Sequence, residues 1–212
     1  MEQRIYPSVI AENQKELEEL LHKFKGVAKT IHLDVVDGIF APNHSLDFSF
    51  ALPANFRYRA HVMVVRPEKW IRRNFGAIEL FIPQFEKVKD KKKYIRWMRK
   101  KKRRVAFAIN PETSVRKMIK SLPFVDEVLV LTVHPGFYGK KFIKKELQKI
   151  IQIKKINPKI KVIVDGGINL KTIILAKKAG ADYFVVGSVI SRSRDPKSAV
   201  RQLEKRLNVK KE

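Results

Sequence analysis

The sequence contains no cysteine, which removes disulfides, thiolate zinc sites, iron–sulfur clusters and cysteine nucleophiles together. It has no apolar run long enough to span a bilayer, and its opening Met1-Glu2-Gln3-Arg4 lacks the apolar stretch of a signal peptide. A cytoplasmic protein without a membrane partner is the expectation. A third absence concerns nucleotide binding. A doubly wound sheet would want a Gly-x-Gly-x-x-Gly turn after its first strand, and Ile10-Ala11-Glu12-Asn13 offers none. Acidic residues are also scarce, with 21 Asp+Glu against 46 Lys+Arg, a formal charge of +25. What remains is ordinary globular material: 212 residues, 44% of them hydrophobic, with no linker-like or low-complexity stretch. One domain over residues 1–212 is expected.

The positive charge raises nucleic-acid binding first. Its densest run is Lys87 to Arg104, KVKDKKKYIRWMRKKKRR. Tyr94, Ile95, Trp97 and Met98 fall at helical spacing within it, so the run reads as an amphipathic helix with a basic outer face. Basic pairs recur in other helical segments, at Lys144-Lys145, Lys154-Lys155 and Lys177-Lys178, and no nucleic-acid motif accompanies them. A whole-chain bias is therefore favoured over a nucleic-acid surface. Lys140, Lys141, Arg192 and Arg194 could instead steer an anionic substrate.

Short β-branched runs alternate with amphipathic segments. Strands are expected at residues 5–10, 30–35, 59–64, 78–82, 105–109, 127–133, 161–164 and 183–186. Helices are expected at 14–25, 67–74, 91–101, 114–120, 141–156, 170–178 and 196–207. The connection from Asn43 to Phe56 lacks a convincing helix, with room for one turn over 48–52. Parallel strands joined by helices make an α/β protein, and eight of them suggest a single (β/α)8 TIM barrel, with the doubly wound open sheet as runner-up.

Barrel chemistry sits where strands end at the C-terminal face. There the expected strands place His32 and Asp34 two residues apart on one face, then His61, then Asp165. Two nitrogen and two oxygen donors suit a borderline divalent ion: zinc, iron(II), manganese or cobalt. Gly136, Gly139, Gly166, Gly167 and Gly187-Ser188 close three neighbouring strands, where backbone N–H groups can approach a phosphate.

These residues carry a resemblance. Pro7-Ser8-Val9-Ile10, the string His32-Leu33-Asp34-Val35-Val36-Asp37-Gly38-Ile39-Phe40-Ala41-Pro42-Asn43, and His61-Val62-Met63 stand in the order seen in ribulose-phosphate 3-epimerases. Asn110-Pro111, Pro135-Gly136-Phe137-Tyr138-Gly139, Val164-Asp165-Gly166-Gly167-Ile168-Asn169 and Gly187-Ser188 continue it. The resemblance implies a barrel of the ribulose-phosphate-binding type that interconverts D-ribulose 5-phosphate and D-xylulose 5-phosphate through a metal-stabilised enediolate. It implies His32, Asp34, His61 and Asp165 as metal ligands, with Asp34 and Asp165 also as the acid/base pair. Ser8, His61, Gly136, Phe137, Tyr138, Gly139, Asp165, Gly166, Gly167, Gly187 and Ser188 fall on substrate or phosphate positions. It further implies a homo-oligomer, dimer or hexamer. A 3-epimerase of a six-carbon ketose phosphate is the close alternative. The family's decarboxylase and synthase cousins are disfavoured, because Asp34-Val35-Val36-Asp37 lacks their lysine.

The chain departs from the family pattern in places. Val36 and Leu131 stand where methionines are usual, while Met63 is kept. His134 and Tyr138 flank the Pro-Gly-Phe corner, with Tyr138-Gly139-Lys140 in place of Gly-Gly-Gln. Phe81-Ile82-Pro83-Gln84 lacks a histidine usual at that strand end. His134 is expected to be a surface loop residue, since the four-ligand set is complete without it.

Overall fold

A computed structural model describes residues 3–136 and 139–208. In chain order it holds β1 (Ile5–Val9), α1 (Gln14–Phe24), β2 (Thr30–Asp37), β3 (His44–Ser45), β4 (Arg57–Met63), α2 (Pro67–Arg73) and β5 (Leu80–Pro83). There follow α3 (Lys91–Lys100), β6 (Ala106–Ile109), β7 (Glu127–Leu131), α4 (Leu147–Ile156), β8 (Lys161–Asp165), α5 (Thr172–Ala179), β9 (Tyr183–Val186), α6 (Ser188–Ser191) and α7 (Pro196–Asn208). All eight expected strands form, and they pair in parallel in the order β5-β4-β2-β1-β9-β8-β7-β6. The ring is joined between its end strands by a parallel bridge from Gln84 to Ala108, with Phe85 N–H donating to the Ala108 carbonyl at 2.8 Å. The open-sheet runner-up is thereby set aside in favour of the (β/α)8 barrel.

The strands are buried on both faces, as parallel strands covered by helices must be. Leu17, Leu21 and Phe24 on α1, and Tyr94, Ile95 and Met98 on α3, cover the outer face of the ring. α1 starts where Asn13 accepts the Glu16 N–H at 3.0 Å, and α3 where Asp90 accepts the Lys93 N–H at 2.9 Å. The stripe expected from the basic run is therefore core, with Trp97 half-buried beside it. Several of its arginines serve the fold: Arg99 pairs with Asp126, Arg103 donates to the carbonyls of Phe75 and Ile78, and Arg104 bridges Glu79 and Glu127.

Alternate residues fill the barrel interior. Leu80, Ile82, Ala106, Ala108, Leu129, Ile163 and Val185 form its middle. At the N-terminal end Arg59 and Glu127 are both buried and hydrogen-bonded to each other, and Arg104 reaches the second oxygen of Glu127 at 2.6 Å. The Arg59 guanidinium lies over the rings of Tyr6 and Tyr183, 4.6 and 5.2 Å from their centres. This plug has no counterpart in the expectations above.

Three expectations need correction. The helix expected over 114–120 is a 3-10 turn at Val115–Met118, followed by a second at Leu122–Phe124. Pro123, without an N–H, enters at the start of the second turn and prevents a continuous helix. The helix expected from residue 141 begins at Leu147, after a 3-10 turn at Lys144–Glu146. Ile143 is held back because its N–H bonds the Thr132 carbonyl at 2.7 Å, anchoring that stretch to the end of β7. No helical turn forms over residues 48–52. The connection instead carries β3, antiparallel to β2, pairing Val36 with Ser45 and Asp37 with His44. Its tight return needs Gly38 at φ 71°, because a Cβ there would stand 2.2 Å from the His44 ring.

Candidate active site

Strand register delivers the site. Ser8 on β1 is the register partner of His32 on β2, and Asp34 is the partner of His61 on β4. Across the ring, Asp165 closes β8 opposite Leu131 and Val185. Residues two apart on a strand share a face, so His32 and Asp34 both point into the lumen. One ligand atom from each of His32, Asp34, His61 and Asp165 lies within 4.8 Å of all the others. The two imidazoles are fully buried, and the Asp34 and Asp165 side chains are 8% and 13% exposed.

His32 Nε2 stands 3.3 Å from Asp34 and 3.8 Å from Asp165, while His61 Nδ1 stands 3.5 and 3.3 Å from the same two carboxylates. His32 Nε2, Asp34 Oδ1 and His61 Nδ1 are nevertheless buried without a hydrogen-bond partner. Polar atoms stranded around one point are costly unless something occupies that point. Two nitrogens and two carboxylate oxygens are a donor set that a divalent cation accepts. The residues fit a metal.

Electrostatics tie the cluster together. Burial by itself would raise the Asp34 pKa, but the adjacent His32 and His61 outweigh it and hold the carboxyl well below the usual range. For His61, burial favours the neutral ring, yet Asp165 and Asp34 overcome it and push the pKa up to about 9.

Above the cluster opens a cleft, to which Ser8, Asp34, Asp165, Gly136, Gly139, Gly166, Gly167, Gly187 and Ser188 all contribute. Met63 and Leu131 add apolar wall. Val36, fully buried, packs with Ala41 and Met63. The aliphatic departures thus keep the floor dry. His32 and His61 are fully buried in the cluster and do not line the cleft. Phe137 and Tyr138 lie outside the described residues. His134 is 64% exposed and pairs with Glu112 at 2.7 Å, a surface contact as expected.

Sequence reasoning passed over several supporting residues. Asp37 accepts the N–H groups of Ile39 and Phe40 at 3.0 and 2.8 Å and that of Val65 at 2.7 Å, binding together the loops after β2 and β4. Its place before Gly38 was the available signal, since Asp in a turn caps the backbone just ahead of it. Asn43 donates to the Gly136 carbonyl at 2.9 Å. Thr132 Oγ1 is 2.9 and 2.6 Å from the carbonyls of Asp165 and Gly166, fixing the corner that carries the carboxylate. Gly166 itself allows close approach to Val133, which a Cβ would strike at 2.3 Å. Lys140 lines the cleft and donates to the Pro135 carbonyl at 3.0 Å.

Comparison with known proteins agrees with this geometry. The model of the "Ribulose-phosphate 3 epimerase family" matches residues 4–191. A ribulose-phosphate 3-epimerase of Eremothecium gossypii is 31% identical over 92% of this chain and 89% of its own length. One from Aquifex aeolicus is 30% identical over 88% of each. Among solved structures, KGPDC from Streptococcus mutans superposes with a TM-score of 0.70 at 13% identity, over 96% of both chains. The 3-hexulose-6-phosphate synthase of Salmonella typhimurium gives 0.67 at 16% identity, over 97% of this chain and 98% of its own. These last two share the fold.

Proposed function

The chain belongs to the ribulose-phosphate 3-epimerase family, and we propose that it interconverts D-ribulose 5-phosphate and D-xylulose 5-phosphate with Asp34 and Asp165 as the proton-transferring pair. The observation that carries this reading is the convergence of two carboxylates from β2 and β8, three strands apart in the ring, on one buried donor cluster. Inverting a carbon next to a ketone requires removing its proton from one face and returning one from the other. A single carboxylate reaches one face only; two across a lumen reach both.

Asp34, held ionised by its two imidazole neighbours, starts as the base toward one epimer. Asp165 delivers the proton from the opposite side, and the roles exchange when the reaction runs backwards. His32, Asp34, His61 and Asp165 would hold one divalent cation, drawn from zinc, iron(II), manganese or cobalt. When bound, it supplies positive charge that stabilises the oxyanion developing beside C3. Met63, Leu131 and Val36 keep water from the floor of the site.

The phosphate would bind at the corners after β7, β8 and β9; that Gly136, Gly139, Gly166, Gly167, Gly187 and Ser188 all meet the cleft supports this reading. Phe137 and Tyr138 belong to the same corner by sequence. Ser8, beside His32 in register, contacts the sugar. Gripping the phosphate away from the reacting carbon fixes C3 between the carboxylates. The reading extends to one barrel domain over residues 1–212, a cytoplasmic enzyme and a dimer or hexamer of this chain, without nucleic acid as partner. No helix among the described residues is long and apolar enough to cross a membrane.

A coupled assay of D-ribulose 5-phosphate conversion, with and without a strong chelator, tests the proposal. Activity that disappears on chelation and returns with one divalent ion supports it. Conversion of allulose 6-phosphate but not of the pentulose would move the reading to the six-carbon epimerase. Activity undiminished after metal removal would defeat the metal assignment.

A further inference from the structure

A buried imidazole that binds a cation through one nitrogen carries its proton on the other, and that N–H needs an acceptor. His61 turns Nδ1 toward Asp34 and Asp165, which leaves Nε2 as the nitrogen at its back. The partner there is the side chain of Gln84, 2.8 Å away and fully buried. Gln84 follows β5 directly, on the strand neighbouring β4, and its alternation with Ile82 points it into the lumen. The backbone is pinned by the bridge to Ala108 and by its N–H to the Val62 carbonyl at 3.3 Å.

The carboxamide nitrogen faces His61, while Oε1 is buried without a partner. Nδ1 of His61 is stranded in the same way on the other side of the ring. A half-turn about the last bond of Gln84 exchanges two atoms of nearly equal size and brings Oε1 to the Nε2 proton. One movement therefore pairs Oε1 and leaves the Nδ1 lone pair free for a ligand role. The residue type matters as well. A carboxamide accepts this proton without adding a third carboxylate beside Asp34 and Asp165.

We propose that Gln84 is the positioning residue of the donor cluster: its carboxamide oxygen accepts the His61 Nε2 proton and holds Nδ1 toward the bound cation. The inference rests on the reading that His32, Asp34, His61 and Asp165 hold a divalent ion. It adds a residue outside the four ligands, at the strand end where the family resemblance leads one to expect a histidine.

Cobalt(II) is the probe, because its visible bands report occupancy and ligand field without any turnover. The metal-free wild-type protein is titrated with Co²⁺ alongside Gln84→Met, which fills the space without an acceptor, and Gln84→Glu, which keeps one. Gln84→Met should weaken binding about 10- to 100-fold, the usual effect of losing such a partner, and alter the visible spectrum. Gln84→Glu should bind within about threefold of wild type or tighter, as expected when an acceptor of this kind is retained. Equal affinity and identical spectra for wild type and Gln84→Met would overturn the role of Gln84. Failure of the wild type to bind Co²⁺ would instead overturn the cation reading on which it rests. Imidazole ¹⁵N spectra of the zinc-loaded wild type need no variant: a proton on His61 Nε2 with metal at Nδ1 is the expected result. The reverse arrangement would overturn the proposal.

Discussion

The barrel buries charge at both ends of its lumen, and the two ends are built to opposite rules. At the N-terminal end, Glu127 meets Arg59 and Arg104 with both its oxygens, and the neighbouring rings of Tyr6 and Tyr183 both lie against the Arg59 head. At the C-terminal end, two carboxylates and two imidazoles converge with four of their atoms unpartnered, both ring nitrogens of His32 among them. The first arrangement meets charge with charge inside the chain, which is how a protein makes a buried ion pair tolerable, and leaves Arg59 Nε unpartnered at its edge. The second leaves its donors around a point that a cation would fill. Buried polarity alone does not mark a site; unmet valence around a common point does.

That comparison breaks most visibly if a carboxylate is neutralised at the site. Asp34→Asn or Asp165→Asn should lower turnover by about a thousandfold or more, within the range for losing a general acid or base. The metal-free variants should melt below wild type near neutral pH, since His61 loses one of its two counter-charges. Coupled-assay rates beside melting curves check both halves. Near-normal turnover in either variant would remove it from the proton-transferring pair.

At the other end stability, not turnover, should carry the loss. Glu127→Gln leaves Arg59 buried without its counter-charge and should cost about 3–5 kcal/mol of stability, read by urea denaturation. The fraction that remains folded should turn over at a rate close to wild type. A loss of activity without a loss of stability would mean the two ends are not separable.

Acidity sharpens the contrast further. The folded His61 pKa lies near 9, above its ordinary 6.5. Its pairing therefore stabilises the metal-free chain fully below about pH 6.5 and fades as pH rises through about 9. Asp34 is shifted downward, so its contribution stands above about 3.8 and fades as acid protonates it. A cation must displace the proton of His61, so its affinity should rise about tenfold per pH unit between 6 and 8 with release of about one proton. Calorimetry in buffers of different ionisation enthalpy measures that release. An affinity flat over this range would contradict the proposed ligand role.

The smallest effect belongs to the rim. Lys140→Gln should raise KM about threefold, leave kcat within about twofold and flatten the dependence on ionic strength, as expected for a half-buried charge at the cleft that attracts an anion. Steady-state kinetics over a salt series would show it.

Much of this was readable in the chain because periodicity and chemistry coincide there. Strand runs with two-residue alternation place His32 and Asp34 on one face, and no longer-range information is needed to see it. The glycine corners after three strands were equally legible, since a corner leaves its mark in local sequence. What stayed hidden depends on partners distant along the chain. Gln84 looks like any polar strand terminus until His61, 23 residues earlier, is found at its side. Arg59 and Glu127 are separated by 68 residues, and each alone reads as a surface charge. Pro123 could have been read locally, but the 3-10 turn at Lys144–Glu146 follows from a spatial demand, the Ile143–Thr132 bond. Helical propensity does not register such demands.

The most direct test of the two-carboxylate account is to run the reaction in D₂O and follow C3 of the sugar by NMR. The account predicts one solvent-derived deuterium at C3 of the D-xylulose 5-phosphate formed by the wild type, and none formed by Asp34→Asn or Asp165→Asn. Product that retains its original hydrogen at C3, or deuterium incorporation that survives loss of both carboxylates, would contradict it.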